Sequence, residues 1–179
     1  MSVTKDDLTG AALTLLDQSN GLSKLTVDAL ANTLSMSKST LYKHYDGMDD
    51  LIYASIERVC LETDTELTQL GASGASGDAL DAVSGVYGRY ADRLPAGLML
   101  SASRERLPAA ARMRLENTEN RLGDRVFRAV FGMGAPAHIA HGIKSAYDGM
   151  LRFLRTVPSG ERSEYVAQLT AILRKGLVS

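Results

Sequence analysis

Cationic and hydroxyl-bearing side chains are concentrated in one short stretch, residues 37–44, which reads Ser-Lys-Ser-Thr-Leu-Tyr-Lys-His. If this stretch is helical, its spacing turns Leu41 inward and leaves Lys38, Tyr42 and Lys43 pointing outward. Hydroxyl, ammonium and phenol groups of this kind can donate hydrogen bonds to base edges and to backbone phosphates. The chemistry that the stretch predicts is therefore contact with nucleic acid.

The residues from Leu25 to His44 must position these groups, and their pattern predicts two short helices joined by a tight turn. Thr26 and Ser37 are of the types that cap helix N-termini. The turn consists of Leu34, Ser35 and Met36, and the small Ala31 falls where the two helices would cross. This arrangement presents the second helix of the pair to the major groove of duplex DNA. The predicted shared core is Leu30, Leu34, Met36 and Leu41.

Three segments, Thr-Val-Asp-Ala-Leu-Ala (26–31), Ser-Lys-Ser-Thr-Leu-Tyr-Lys-His-Tyr (37–45) and Asp-Asp-Leu-Ile (49–52), resemble the DNA-binding region of the TetR family. The resemblance is sharp over residues 5–55 and only architectural beyond them. It implies that three N-terminal helices and the start of a fourth bind DNA, whereas later helices form an effector pocket and a four-helix dimer interface. The DNA-contacting residues that it implies are Thr26, Ser37, Lys38, Ser39, Thr40, Tyr42, Lys43 and His44.

Two positions depart from the family pattern, and the charge distribution departs with them. Ser35 stands at the turn position usually held by glycine, which implies either a strained serine or an altered turn. Met48 replaces a lysine common at the start of the fourth helix. Residues 1–70 contain five basic and eleven acidic residues, a net charge of −6, whereas residues 71–179 carry +5. We therefore expect weaker or more salt-sensitive DNA binding than a basic relative would show.

Apolar residues recur at helical spacing along the whole chain, which predicts an all-α fold of about nine helices. We expect a DNA-binding domain over residues 1–47 and a helical effector-binding and dimerisation domain over residues 48–179, with a fourth helix at 47–70 linking them. The predicted cap of this fourth helix is Asp46 paired with Asp49. The other predicted helices span 4–18, a short second helix after Thr26, 38–45, 78–94, 96–103, 108–131, 135–156 and 161–177.

The last two predicted helices are amphipathic and could pair with the same helices of a second chain. An ordinary intramolecular core would produce the same stripes, so this alternative stays open. DNA binding favours the dimer, because two reading helices about 34 Å apart cover a longer site than one. The predicted interface residues are Ile139, Gly142, Ile143, Ala146, Met150, Leu154, Val166, Leu169 and Leu173.

The middle helices contain enough aromatic and sulfur-bearing side chains to line an apolar effector cavity. Each of these residues could equally belong to a solid core. Arginines are abundant in the same region, which suits an anionic ligand but also suits a solvated surface. The predicted pocket residues are Tyr87, Tyr90, Met99, Met113, Phe127 and Tyr147.

Other functional classes receive little support from the sequence. The single cysteine, Cys60, has apolar neighbours and is expected to be a buried, inert thiol. His138 and His141 are spaced i, i+3, but a surface or interface pair explains them better than a metal site. With no glycine-rich phosphate loop or nucleophile motif, we expect no enzyme, cofactor or metal. The absence of a long apolar run or signal segment predicts a cytoplasmic protein.

The sequence thus predicts a DNA-binding transcriptional regulator, a repressor that a small-molecule effector releases from its operator. One alternative keeps the fold and the DNA binding but lacks the small-molecule switch. A second alternative is a helical interaction protein that has lost DNA binding, which the acidic N-terminal region would favour. The effector, the operator sequence and the target genes do not follow from the residues.

Overall fold

A computed structural model describes residues 3–18, 22–72, 79–99, 101–131 and 149–178. These residues form α-helices and two short 3-10 helices, Leu22–Lys24 and Ala96–Leu98, with no strand in the described ranges, so the all-α prediction is confirmed. The α-helices are α1 (Lys5–Gln18), α2 (Val27–Thr33), α3 (Lys38–Leu41), α4 (Met48–Ala72), α5 (Ala79–Arg93), α6 (Ser101–Arg104), α7 (Ala109–Phe131), α8 (described over 149–154) and α9 (Arg162–Val178).

Most predicted helix ends agree with the structure to within one or two residues, and the third helix is the main exception. It was predicted to reach residue 45, but α3 ends at Leu41. Beyond that point Lys43 N–H donates to the Thr40 carbonyl and His44 N–H to the Leu41 carbonyl, the i, i+3 pattern of a tightened turn. Five residues of the predicted sites lie outside the described ranges: Ile139, Gly142, Ile143, Ala146 and Tyr147.

The chain divides into two compact units by packing. Unit 1 comprises Met1–Cys60 and Leu94–Leu115, and unit 2 comprises Leu61–Arg93 and Glu116–Ser179. Helices α4 and α7 each contribute residues to both units. The boundary predicted at residue 47 does not coincide with a boundary of these units. A functional division at that residue stays a prediction.

Unit 1 is built on a core of leucines that α1 to α4 supply. Leu8, Leu30, Leu41 and Leu51 have no exposed surface. The later segment of the unit, Leu94–Leu115, is tied to α1 by an Asp17 carboxylate oxygen, which accepts a hydrogen bond of 2.8 Å from the Ala96 N–H. Sequence periodicity could not reveal this connection, because it joins residues that are far apart in the chain.

Unit 2 is organised around close packing of α5 against α9. A Cβ atom added to Gly88 would lie 2.9 Å from the Cα and Cβ of Ser163, nearer than such atoms approach in proteins. The absence of a side chain at Gly88 therefore sets how closely the two helices can meet. No helix in the described ranges is long and apolar enough to cross a membrane.

Two side chains link the end of α5 to the start of α9: Asp92 of α5 accepts hydrogen bonds from the start of α9, and Arg162 of α9 donates one to α5. The Asp92 carboxylate accepts hydrogen bonds from the backbone N–H groups of Gly160 at 2.8 Å, Arg162 at 2.9 Å and Ser163 at 3.3 Å. These donors lie at the N-terminus of α9, which otherwise leaves backbone N–H groups unpaired. Asp92 therefore caps α9 from a neighbouring helix.

The Arg162 side chain is 1% exposed and satisfies carbonyls at the ends of two other helices. Its Nε donates to the carbonyls of Leu154 at 3.1 Å and Val157 at 2.9 Å, and its Nη1 donates to that of Ala91 at 3.1 Å. Carbonyls at helix C-termini carry partial negative charge. A buried cation is therefore held by helix ends in unit 2.

Candidate nucleic-acid interface

Helix α2 begins with the predicted threonine cap. Thr26 has an extended backbone, with φ −126° and ψ 159°, and its hydroxyl oxygen accepts a 3.1 Å hydrogen bond from the Ala29 N–H. This bond satisfies a donor that the first turn of a helix leaves open. The prediction of Thr26 as a cap is confirmed, and the side chain is exposed.

The turn between α2 and α3 contains the strained serine that the sequence implied. Ser35 has φ 50°, and it is the one non-glycine residue with positive φ in the described ranges. Met36 N–H donates to the Ala31 carbonyl at 2.9 Å, which closes the turn after α2. The left-handed conformation costs a residue with a Cβ about 1–2 kcal/mol. The turn therefore keeps the positive-φ backbone conformation that glycine usually adopts, although a serine occupies this position.

Ser37 stands at the N-cap position of α3 but does not cap it in the predicted way. Its backbone is extended, with φ −76° and ψ 149°, yet its hydroxyl makes no capping bond to a backbone N–H. The hydroxyl lies instead 2.9 Å from that of Ser39 and 3.0 Å from that of Thr40. The prediction of a side-chain cap is wrong, and three hydroxyls form a cluster at the start of the helix.

Leu41 anchors α3, and the polar residues around it face solvent. Leu41 has no exposed surface, whereas 59% of Tyr42 is exposed. Lys38 and Lys43 are also exposed, and Lys38 forms an ion pair with Asp28 of α2. The structure therefore brings cations, hydroxyls and a phenol together on one solvent-facing surface. Of the remaining predicted contacts, Ser37 and Ser39 are exposed, and Thr40 and His44 are half-buried.

Tyr45 is a core residue, as predicted, and fastens the end of the α3 segment to α1. It is 6% exposed, its hydroxyl donates to the Lys5 carbonyl at 3.4 Å, and the Lys5 ammonium lies 5.2 Å from the ring centroid. Burial, together with the negative charges of Asp50 and Asp6, raises the pKa of Tyr45. The phenol therefore stays protonated and able to donate.

The start of α4 uses a different acidic residue from the one predicted. The Asp46 N–H donates to the Asp50 carboxylate at 3.3 Å, so the prediction of Asp49 as the partner of Asp46 is wrong. Helix α4 begins at Met48, one residue later than expected, which moves the reciprocal partner along by one position. The acidic first turn of α4 is consistent with the expected loss of a phosphate contact near Met48.

A short, exposed helix held by a buried leucine after a tight turn is the geometry of a helix-turn-helix DNA-binding domain. Residues 8–54 match the family described as "Bacterial regulatory proteins, tetR family". Residues 8–54 therefore form a DNA-binding domain of the TetR type, as the sequence predicted.

One solved structure shows the same fold over nearly the whole chain. It is the reduced form of NemR from E. coli, with a TM-score of 0.66 and 18% sequence identity, covering 94% of this chain and 95% of that chain. At this identity the likeness concerns the fold. No curated protein matches the sequence.

The predicted effector-pocket residues do not share one environment. In unit 2, Tyr87 and Tyr90 are buried with their ring centroids 6.3 Å apart in an edge-to-face arrangement, and the Tyr90 hydroxyl donates to Glu119 at 2.8 Å. Phe127 of the same unit is half-buried. In unit 1, Met99 is buried, but Met113 is 60% exposed. Met113 therefore does not line an enclosed cavity, and the other described residues stay predictions.

Unit 2 also contains a groove that the sequence did not suggest. Its volume is about 190 Å³, and an apolar wall meets two arginines, Arg125 and Arg128. This volume is below the roughly 300–1,000 Å³ of typical small-molecule sites, so it suits a small ligand. The apolar residues that line it are Leu70, Ala79, Ala82, Val83 and Ala129.

The predicted dimer residues on α8 and α9 divide between the core and the surface. Leu154 is 0% and Val166 is 1% exposed within the single chain, so they pack in the core of unit 2. Met150 is also buried, Leu169 is half-buried, and the side chain of Leu173 lies outside the described residues. Because one apolar stripe can face either a partner or the chain's own core, the dimer interface stays a prediction.

The exposed apolar residues of this region are neighbours of the predicted ones. Phe153 is 55%, Tyr165 is 41% and Ile172 is 66% exposed, and the two rings lie 5.9 Å apart. They line a groove of about 420 Å³ together with Met150, Leu154, Gln168 and Leu169. The sequence contained a signal for this exposed surface, because Phe153 and Tyr165 make the apolar stripes of their helices wider than the one face that packs inward.

The structure offers no alternative metal chemistry in the part of the chain that it describes. Within those ranges no three His, Cys, Asp or Glu side chains lie together as a metal site would require. His138 and His141 lie outside the described residues. Cys60 is fully buried, as predicted, with its Sγ 3.9 Å from the Arg114 carbonyl oxygen.

Proposed function

We propose that the protein is a cytoplasmic, homodimeric repressor that binds its operator through α3 and leaves it when a small effector binds. The observation that carries the DNA-binding role is the surface of α3, where Lys38, Tyr42 and Lys43 are exposed around the fully buried Leu41. We assign no catalytic activity, cofactor or metal to the chain. Repression, rather than activation, follows from family resemblance.

The residues of α3 and its flanks would divide between reading and positioning. Ser39 lies in the first turn of α3, the part of a reading helix that meets base edges, and the neighbouring Lys38 would meet a backbone phosphate at the wall of the groove. Tyr42 and His44 would donate to backbone phosphates, contacts that set register without reading sequence. Thr26 lies at the N-terminus of α2 and would reach a phosphate beside the groove.

Dimerisation would use the exposed apolar face of α8 and α9. Phe153, Tyr165 and Ile172 form an apolar surface on a single chain, and an exposed patch of this kind marks an interaction site. A second copy is the occupant we propose, because a two-fold dimer places two reading helices about one DNA turn apart. Met150 and Leu169 would form the floor of that contact.

The dimer can be tested by sedimentation of variants that place a charge on this face. We expect Ile172→Asp to shift the protein to monomer, because a carboxylate would be buried without a partner at the interface. Met113→Asp is the matched control, since Met113 of unit 1 is 60% exposed and Ile172 is 66% exposed. Equal effects of the two substitutions would contradict this interface.

The effector would bind the 190 Å³ groove of unit 2. Its two arginines favour a carboxylate or another small anion, and its apolar wall favours a short hydrocarbon part. Binding would favour a dimer shape in which α4 tilts and the two reading helices lose the operator spacing. To change occupancy, the ligand must prefer one shape, typically by about 1–3 kcal/mol.

The effector is tested with a panel of small carboxylic acids and their uncharged amides. We expect an acid, but not its amide, to raise the thermal unfolding temperature and to release DNA, and Arg125→Gln with Arg128→Gln to abolish both effects. Equal ligand affinity of operator-bound and free dimer would contradict the switch. The favoured alternative would then be the same DNA-binding fold without a small-molecule switch.

The first experiment for DNA binding is selection of random duplexes by the purified protein at moderate salt. We expect enrichment of a palindrome that Tyr42→Ala no longer enriches, with Tyr53→Ala as the control, since Tyr53 is an exposed tyrosine on α4. Lack of enrichment by a folded dimer would instead favour an interaction protein that has lost its DNA target.

A further inference from the structure

The lysine at the start of α3 is already paired within the protein. The Lys38 ammonium forms an ion pair with the carboxylate of Asp28, a residue in the first turn of α2. The Lys38 side chain is 65% exposed and that of Asp28 is 66% exposed, so the pair lies on the surface. A cation expected to meet DNA phosphate therefore has a carboxylate beside it before any DNA arrives.

Lys43 provides an internal contrast on the same surface. It is exposed like Lys38, but no carboxylate among the described residues lies within ion-pair distance of it. Asp28 thus engages one of two exposed lysines and leaves the other available to solvent. The difference between Lys38 and Lys43 makes the effect of the ion pair measurable.

We propose that Asp28 competes with DNA phosphate for Lys38 and thereby lowers the affinity of the reading helix for all duplexes. The proposal rests on the assignment of α3 as the DNA-contacting helix. An exposed ion pair is weak, so a phosphate can displace Asp28, but the displaced carboxylate is then left close to the negatively charged backbone. Lys38 therefore contributes less to binding than an unpaired lysine would.

The competition acts on the part of binding that carries no sequence information. Phosphate contacts supply most non-specific affinity, while base edges supply discrimination. A carboxylate that weakens one phosphate contact lowers binding to random DNA and to the operator by a similar factor. The net charge of −6 over residues 1–70 also lowers the affinity for DNA. Asp28 is one of the acidic residues that produce this charge, and it is paired with a predicted DNA contact.

The test begins with Asp28→Asn, which removes the charge and nearly preserves the shape of the side chain. Binding to the selected operator and to a random duplex is measured by fluorescence anisotropy over a series of KCl concentrations. We expect about fivefold tighter binding at low salt for both duplexes, and a salt slope steeper by about one unit. Asp28→Ser, which also removes the charge, should give the same result.

A double-mutant cycle separates competition for Lys38 from general repulsion of DNA. In a Lys38→Met background we expect Asp28→Asn to give no gain in affinity, because the lysine that it would release is absent. In a Lys43→Met background the gain should persist. Equal gains in both backgrounds would overturn the proposal, since Asp28 would then act by simple charge repulsion.

The cycle also distinguishes failure of this proposal from failure of the proposed function. If the original protein binds a palindrome and Tyr42→Ala does not, but Asp28→Asn changes neither affinity nor salt slope, only the competition is overturned. If the original protein, Tyr42→Ala and Asp28→Asn all fail to bind any duplex, the assignment of α3 is overturned as well. Among single variants, Lys43→Met should weaken binding more than Lys38→Met.

Discussion

The reading region of unit 1, residues 26–45, and the junction of α5 with α9 in unit 2 distribute polar and apolar groups in opposite ways. In the reading region, Leu30 and Leu41 are fully buried, and Lys38 and Tyr42 face solvent. At the junction the guanidinium of Arg162 is buried among carbonyls. Nearby in the same unit, Phe153 and Ile172 are exposed.

This difference shows what each region can bind and what holds it together. A surface of hydroxyls and cations suits a polar, negatively charged duplex, whereas exposed phenylalanine and isoleucine suit an apolar partner. A buried arginine is tolerated only where its donors are paired, and Arg162 meets three carbonyls. Unit 2 should therefore be sensitive to loss of buried polar contacts, and the reading region to loss of helix caps.

The largest expected effect is loss of the buried cation. Arg162→Met would remove the guanidinium donor from the carbonyls of Ala91, Leu154 and Val157, and we expect the free energy of unfolding to fall by about 3 kcal/mol or more. Urea unfolding measures this change. Arg152→Met is the control, because Arg152 is exposed on α8 and its loss should cost less than about 0.5 kcal/mol. Similar losses of unfolding free energy from both variants would mean that the buried hydrogen bonds of Arg162 do not stabilise unit 2.

The next effect concerns the close approach of α5 and α9. Gly88→Ala would place a Cβ 2.9 Å from Ser163, and we expect a loss of about 1–3 kcal/mol as the helices are forced apart. Gly123→Ala is the matched control, because a Cβ there meets nothing within 4 Å. That control should raise stability by about 0.5–1 kcal/mol. Thermal and urea unfolding of both variants should therefore move in opposite directions.

Caps in the reading region should produce a smaller and asymmetric effect. Thr26→Ala removes the acceptor of the Ala29 N–H, and we expect a loss of about 1 kcal/mol in unfolding free energy. Ser37→Ala should cost less than about 0.5 kcal/mol, because Ser37 makes no capping bond. Urea unfolding without DNA keeps any role in binding out of the measurement. Equal losses would mean that Ser37 caps α3 in solution.

The smallest effect is a pH dependence that comes from Glu66 of unit 2. Partial burial by itself would raise the pKa of Glu66, but hydrogen bonds and positive charge from Arg93 and Arg89 outweigh it and hold that pKa below its ordinary value. Because the folded pKa is lowered, the carboxylate stabilises the protein above its unfolded pKa of about 4.3. This contribution disappears as pH falls through the folded value.

Glu66→Gln tests this dependence. We expect a loss of under about 1 kcal/mol at neutral pH, shrinking as the pH falls below about 4. Glu116→Gln, which changes an exposed carboxylate of the same unit, serves as the control. Urea unfolding at several pH values checks both variants, and a difference between the original protein and Glu66→Gln that grows toward low pH would contradict the sign.

Local patterns predicted the helix-turn-helix because its determinants lie close together in the chain. The Thr26 cap, the strained Ser35 and the buried Leu41 each depend on neighbours within a few residues. The same reasoning failed at Ser37 and at the Asp46 cap, where several hydroxyls or carboxylates compete for one position. Choosing among such competitors needs the actual backbone geometry.

Residue types and their spacing were enough to predict the all-α class, most helix ends and the polar surface of α3, because helical periodicity and capping are encoded within a few residues. Packing of the folded chain was needed to show which apolar side chains face inward, since Leu154 and Phe153 have the same polarity but opposite exposure. The folded chain also revealed the pairing of Asp28 with Lys38 and the burial of Arg162. These outcomes depend on which distant residues meet, and neither composition nor spacing records that.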